Sequence, residues 1–354
     1  MNSRDLLKEI AAGRRMSPEE FVWLDENADF LTLGQAADQV RRRRFPDNRV
    51  SFIIDRNINY TNICSCQCRF CAFYRHKDDA DAYVLDKSTL FAKIKEALEL
   101  GASQLMIQGG LNPELGIEFF EDMFRSIKAR YPVQIHSLTA PEIVHIASRS
   151  DLDVRETLLR LQAAGLDSLP GGGAEVLHDE VRQYISPRKI SSRQWLEVMR
   201  TAHGIGMKTT ATMMMGSVDL LQHRLHHLDM IRKLQDETGG FRAFIMWTYQ
   251  PGNTELRGKK ISSLAYLRFL ALSRLYLDNI EHIQGSWVTQ GKQIGQLSLL
   301  FGGDDLGSIM IEENVVRSAG VAYKMSKEEM IALIRAAGRK PVLRDTAYRI
   351  LEEY

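Results

Sequence analysis

The chain has 354 residues, 44% of them apolar and 26% charged, which is ample for a large buried core in one large domain or two ordinary ones. A formal net charge of +1 excludes the basic excess that would draw the chain to nucleic acid or to an anionic membrane. No apolar run reaches membrane-spanning length, and residues 1–15 mix both charge signs, so a cytoplasmic protein without membrane insertion is expected.

Residues 1–47 read as an N-terminal helical extension. Ser17-Pro18-Glu19-Glu20 has the form of a helix cap ahead of Phe21, Val22 and Leu24, and a further helix is expected over 33–44. The run Arg41-Arg42-Arg43-Arg44 admits a phosphate contact or a solvated helix end that suits the helix dipole. The solvated end is the expectation.

From Val50 the texture becomes an alternation of β-rich runs and amphipathic helices. Strands are expected at 50–54, 104–107, 133–136, 166–169, 209–214, 243–249 and 282–288, with a weak last one at 306–310. Ser88 stands where a cap would open a helix with Leu90, Phe91, Ile94, Ala97 and Leu98 on one face, closed by Gly101. Other helices are expected over 119–130, 193–203, 220–235 and 263–279. Eight strands alternating with helices fit an α/β fold, a closed (β/α)8 TIM-type barrel over 48–354 with C-terminal helices, and an open doubly wound sheet is the alternative. Glycine-rich or polar segments follow the strand ends: Gln108-Gly109-Gly110, Gly171-Gly172-Gly173 and Gln250-Pro251-Gly252-Asn253. In a barrel they would converge on one mouth. Met213-Met214-Met215 reads as strand packing, and His223, His226 and His227 read as solvent-facing on a polar helix.

All four cysteines fall within residues 64–71, and Cys64, Cys68 and Cys71 stand in C-x3-C-x2-C spacing with Phe70 before the third; Cys66 is extra to it. Disulfides in so short a segment would be strained. A zinc knuckle lacks its second Cys pair, and a Cys68/Cys71 redox pair leaves Cys64 without a role. An iron–sulfur cluster suits three thiolates on a compact loop and leaves one iron open.

This spacing, on the loop after a first barrel strand, resembles the signature of the radical S-adenosylmethionine (radical SAM) family. The resemblance implies a 4Fe–4S cluster on Cys64, Cys68 and Cys71. S-adenosylmethionine would sit on the open iron and be cleaved to a 5′-deoxyadenosyl radical. It also implies cofactor contacts at Phe70, Gln108, Gly109, Gly110, Glu175 and Arg188. The family's acidic residue after the paired glycines is replaced by Leu111. The bland readings are a turn at Gly171–Gly173 and a first-turn helix acid at Glu175.

Stretches 59–64, 71–75, 169–175, 185–189, 211–216, 247–254 and 303–314 resemble the branch of that family that handles menaquinone precursors and a deazaflavin cofactor. Within it, residues 247–254 and 307–314 are most similar to cyclases acting on dehypoxanthine futalosine; relatives that make aminofutalosine or the deazaflavin precursor are the alternative, and a non-catalytic cluster protein is another. That likeness implies hydrogen abstraction at the ribose C4′ of dehypoxanthine futalosine and closure onto its benzoate ring. It also implies an electron donor such as flavodoxin or ferredoxin. A base must then take a proton, for which His136 and Tyr249 are candidates, each otherwise a packing residue. Arg56, Arg75 and Arg188 are candidates for the benzoate carboxylate, though Arg75 equally suits holding the cysteine loop by its carbonyls. Asp304 and Asp305 are candidates for substrate hydroxyls or for helix capping.

Overall fold

The computed structural model describes residues 2–321 and 323–354. Three helices open the chain: α1 (Ser3–Ala11), α2 (Pro18–Asn27) and α3 (Phe30–Arg44). The expected cap on α2 is a capping box, in which Ser17 accepts from the Glu20 amide and Glu20 accepts from the Ser17 amide. Phe21 packs edge-on against Phe269 and Tyr276 at 5.7 and 5.3 Å, and Arg268 donates to the carbonyls of Leu24 and Ala28 at the end of α2. These contacts seat the extension on the barrel's outer helices.

The arginine run corrects the sequence expectation. Arg41 is fully buried and its Nε donates to Asp38 at 2.7 Å. Asp38 also accepts from Arg42 and from Arg339, each at 2.8 Å. Arg43 donates to the Ala11 carbonyl and Arg44 to those of Ile280 and Asp278. The run is a solvated helix end only in part: Arg42 and Arg43 are exposed, but Arg41 is buried, and the guanidiniums cap carbonyls or pair with one buried carboxylate, which ties α1, α3 and the far end of the chain together.

The first barrel strand runs as β1 (Arg49–Ile53) and β2 (Asp55–Ile58) with a break at Ile54. It is followed by β3 (Gln104–Ile107), β4 (Gln134–Ser137), β5 (Thr209–Met215), β6 (Phe241–Thr248), β7 (His282–Gln284) and β8 (Asp305–Ser308). β2, β3 and β4 pair in parallel, and parallel bridges His136 to Ser168 and Leu169 to Thr209 carry the sheet on to β5. β5, β6, β7 and β8 then pair in parallel, and β8 pairs back onto β1. Since β1 and β2 belong to one run, the ring closes: this is the expected (β/α)8 barrel rather than an open sheet. The fourth strand is reduced to the two-residue bridge at Ser168 and Leu169.

Two further details depart from the sequence reading. The helix Lys87–Glu99 is capped by Asp86, which accepts from the Thr89 amide at 2.9 Å; Ser88 is already inside it. The chain does not end on helices. After the helix Lys327–Ala336 come β9 (Lys340–Arg344), parallel to β1, and β10 (Ile350–Glu353), antiparallel to β9. Pro341 at the start of β9 weakens the strand signal in the sequence. The turn between them brings Arg344, Thr346 and Tyr348 to the barrel interior, where Thr346 donates to Gln104 at 2.6 Å. This hairpin floors the barrel at the end opposite the cysteine loop.

Candidate active site

A cavity of about 430 Å³ runs from the cysteine loop into the barrel and down to Arg344, Thr346 and Tyr348. Its walls are inward-facing strand residues, among them Asp55, Asn57, Met106, His136, Thr210, Thr212, Trp247 and Gln284, as the two-residue period of a strand requires. Cys64, Cys66, Cys68 and Cys71 all line its upper end.

The cysteine loop is held by backbone bonds to every neighbour. The Cys64 amide donates to Arg75, that of Ser65 to Leu111 and that of Arg69 to Ile185, at 2.9 to 3.1 Å. Gly109 and Gly110 approach so closely that a Cβ at Gly110 would overlap the Ile63 carbonyl and the Cys64 side chain, and one at Gly109 would strike the Tyr60 ring. Glu142 fixes this glycine pair by accepting from the Gly109 amide at 3.0 Å and from the Tyr60 hydroxyl at 2.8 Å. Burial raises its carboxyl above the usual range, although these donors oppose the shift.

Below the thiols lies a charged pair. Lys189 Nζ donates to Glu175 Oε1 at 2.9 Å and stands 5.1 Å from the centre of the Phe70 ring. Burial works against the Lys189 charge, but Cys68, Glu175 and Cys66 outweigh it and raise the ammonium. Hydrogen bonding to Cys66, with help from Lys189, holds the Cys68 thiol down, whereas burial and then Cys68 push Cys71 up to about 11. Glu175 is 4% exposed and in the left-handed backbone region at φ 41°, where a non-glycine residue needs strong support. Its Oε2 lies 3.5 Å from Arg182 yet accepts no hydrogen bond, so a buried acceptor here awaits a donor.

His136 faces the middle of the cavity, with Nδ1 hydrogen-bonded to the Ser168 hydroxyl. Burial, and then the charges of Arg242 and Arg344, push its pKa well below the ordinary value. The imidazole is therefore neutral at neutral pH, and burial and the two arginines oppose its protonation.

The remaining expected site residues lie elsewhere. Tyr249 is outside the cavity; its hydroxyl contacts Thr254 and donates to the Arg257 carbonyl at 3.0 Å, which holds the loop 250–257. That loop, including Gln250–Asn253, does not line the cavity. Arg56 is on the outer face of β2, donating to Glu312 and Glu96, each at 2.6 Å. Arg75 pairs with Asp81 and donates to the carbonyls of Ala72, Phe73 and Tyr74, the structural alternative of the two expected for it. Exposed Arg188 donates to Gln67 at 2.6 Å beside the cysteine loop. Asp304 is taken up by Arg274 and His282, and Asp305 by Arg344 and Ser51. Their carboxylates hold the barrel base together and have no capacity left for hydroxyls. Phe70, Gln108, Gly109, Gly110, Glu175 and His136 do meet in one cavity. Of the helix histidines, His226 is exposed but His227 is fully buried and accepts from the Leu177 amide at 2.9 Å, against the solvent-facing expectation.

Sequence reasoning missed Glu142, Lys189 and Arg242. Thr139-x-x-Glu142 is a readable capping box immediately after a strand. Lys189 lies within the stretch 185–189 but had no role there. Arg242 is a lone charge in an otherwise apolar strand, one residue outside the expected span 243–249.

A thiol-lined mouth on a barrel of this strand order defines a class, and comparison with known proteins places the chain in it: the chain belongs to the radical SAM superfamily. The model described as radical SAM superfamily matches residues 58–231, and that described as CofH/MqnC C-terminal region matches 238–353. The chain is 49% identical over 351 residues to a cyclic dehypoxanthine futalosine synthase from Streptomyces coelicolor, covering 98% of this chain and 88% of that one. A protein of the same name from Halalkalibacterium halodurans is 43% identical over 356 residues, covering 100% and 96%. Among solved structures, methylornithine synthase (PylB) superposes with a TM-score of 0.73 at 18% identity, covering 95% of this chain and 97% of that one. That likeness concerns the fold.

Proposed function

We propose that this chain is a radical SAM cyclase that converts dehypoxanthine futalosine to its cyclic product, two hydrogens poorer than the substrate, in menaquinone biosynthesis. The observation that carries the reading is the 49% identity across nearly the whole chain to a synthase of that name, and the cavity supplies the means.

The residues fit the family's cofactors. Soft thiolates suit iron–sulfur ligation, and Cys64, Cys68 and Cys71 are the three in spacing, with Cys66 left as a neighbour. The glycine pair lets the strand end pack directly on the cysteine loop, and Glu175 Oε2 is a buried acceptor without a donor. Gln108, Gly109, Gly110, Glu175 and Phe70 would hold S-adenosylmethionine. When bound, the cluster and S-adenosylmethionine supply a one-electron cleavage of the sulfonium and hence a hydrogen-abstracting 5′-deoxyadenosyl radical; a flavodoxin or ferredoxin is the proposed electron source.

The chain's own residues then do three things. The barrel walls seclude the C4′ radical from water and hold the aromatic ring within its reach. His136, neutral in its buried site, is the group placed to take the proton that leaves the ring, and the electron lost with it would return to the oxidised cluster. Ser168 on Nδ1 fixes the ring's orientation, which leaves Nε2 for that proton.

The test is anaerobic reconstitution, followed by incubation with dehypoxanthine futalosine, S-adenosylmethionine and a reductant. A cyclic product lighter than the substrate by two hydrogens, together with 5′-deoxyadenosine, is expected. Cys66→Ser should keep cluster and turnover while Cys68→Ser loses both. Product from an added second substrate, with none from dehypoxanthine futalosine alone, overturns the cyclase reading in favour of an addition enzyme.

A further inference from the structure

We propose that Arg242, at the floor of the cavity, is the anion site that takes the substrate's carboxylate. The inference rests on the cyclase reading for the identity of that substrate but not for the existence of the site. Arg242 is the second residue of β6 and lines the same cavity as the thiols and His136. Among the described residues no carboxylate pairs with it. Its Nε is buried without a partner, and its Nη2 reaches only the Lys208 carbonyl at a long 3.4 Å.

The neighbouring arginine shows what satisfaction looks like. Arg344 also lines the floor, but its Nε and Nη2 donate to Asp305 at 2.6 and 3.0 Å, and its guanidinium lies 3.9 Å from the centre of the Tyr348 ring. Arg56 and Arg75, which the sequence offered for the carboxylate, are paired outside the cavity, and Arg188 is committed to the cysteine loop. Among these arginines Arg242 is the one at the cavity with a buried donor unmet, and the remaining cavity cation, Lys189, is already paired with Glu175.

Leaving the buried Nε donor of a guanidinium unmet is costly, and a planar carboxylate is its best-matched partner. With the carboxylate on the floor, the aromatic ring lies in the barrel beside His136 and the ribose extends toward the cysteine loop. One anchor thus sets the direction in which an elongated substrate enters. It brings C4′ toward the thiol end and the reacting ring toward the base.

The test compares wild type, Arg242→Met and Arg242→Lys as reconstituted holoenzymes. Substrates are dehypoxanthine futalosine and its analogue with the carboxylate replaced by carboxamide. Arg242→Met should raise KM for the carboxylate substrate on the order of 30- to 100-fold, the range for a lost charge-assisted hydrogen bond. The KM of the carboxamide should change less than threefold, with iron content unchanged, and Arg242→Lys should recover part of the loss. Equal losses on both substrates, or no loss on either, overturn the proposal. Calorimetric titration with benzoate alone separates this site from the reaction. Binding by wild type and not by Arg242→Met supports the site even if no cyclic product forms. Equal binding by both refutes it even if cyclisation is confirmed.

Discussion

At the residue scale the site depends on what is missing from glycine. The cysteine loop packs against the backbone of Gly110 so closely that a single methyl would displace the Ile63 carbonyl or the Cys64 side chain, and neither can move without dragging the thiols. Gly110→Ala is therefore expected to fold but to lose most of its cluster, read as iron per chain after anaerobic reconstitution. Gly204, at the end of a helix, has nothing within 4 Å of an added Cβ. Gly204→Ala should keep its iron and leave stability unchanged or raised by up to about 1 kcal/mol through helix propensity. Cys66 shows the opposite economy. The sequence already marks it as extra to the C-x3-C-x2-C spacing, and in the fold it is buried and lines the cavity beside Cys68.

At the element scale, the arginine-rich end of α3 is a clamp. Asp38 accepts from Arg41, Arg42 and Arg339, so it is the common carboxylate of the extension and the segment leading into β9. Arg41 is buried and Arg339 nearly so, at 0% and 8% exposed. Asp38→Ala would leave two buried guanidiniums without their counter-ion, at a cost of about 3 kcal/mol or more. Arg42 is 66% exposed along its side chain, and Arg42→Ala should cost less than about 1 kcal/mol. Thermal midpoints of the two variants should differ accordingly; equal midpoints would mean the clamp carries no load. In the sequence the same run looks solvated, because four consecutive charges at a helix end usually are. What covers Arg41 and part of Arg44 is the approach of Arg339 and of residues 278–281, and neither is local to the run.

For the whole molecule, burial of neutral histidines predicts how stability responds to pH. Burial pushes His227 down to about 3 and His203 to about 4, while an unfolded histidine titrates near 6.5. Between those values the unfolded chain binds protons that the folded chain refuses. Stability is therefore full above about pH 6.5 and declines as the pH falls toward 4. His227→Gln keeps an acceptor for the Leu177 amide but cannot titrate. Its loss of stability between pH 7 and 5 should be smaller than that of wild type by roughly 1 to 2 kcal/mol, measured from urea midpoints at the two pH values. Parallel curves would show that His227 is not held neutral.

The sequence by itself determined the strand and helix alternation, the cysteine spacing and the glycine pair, since each is a local pattern: a hydrophobic period, a run of ligand-type residues, a backbone that must be approached closely. It also picked out His136 at the end of the third strand and Glu175 after the Gly171–Gly173 run. Tertiary structure alone decided which polar side chains face inward. Arg56 and Arg242 are both strand arginines, yet the registers of β2 and β6 turn one to the outside and the other to the cavity floor. Whether an arginine is free depends on partners from distant segments. Asp305 pairs with Arg344 from another strand, and Glu96 and Glu312 pair with Arg56 from outside β2, whereas among the described residues no carboxylate pairs with Arg242. Burial and pairing are properties of the closed barrel and its floor, so no single stretch of the chain encodes them.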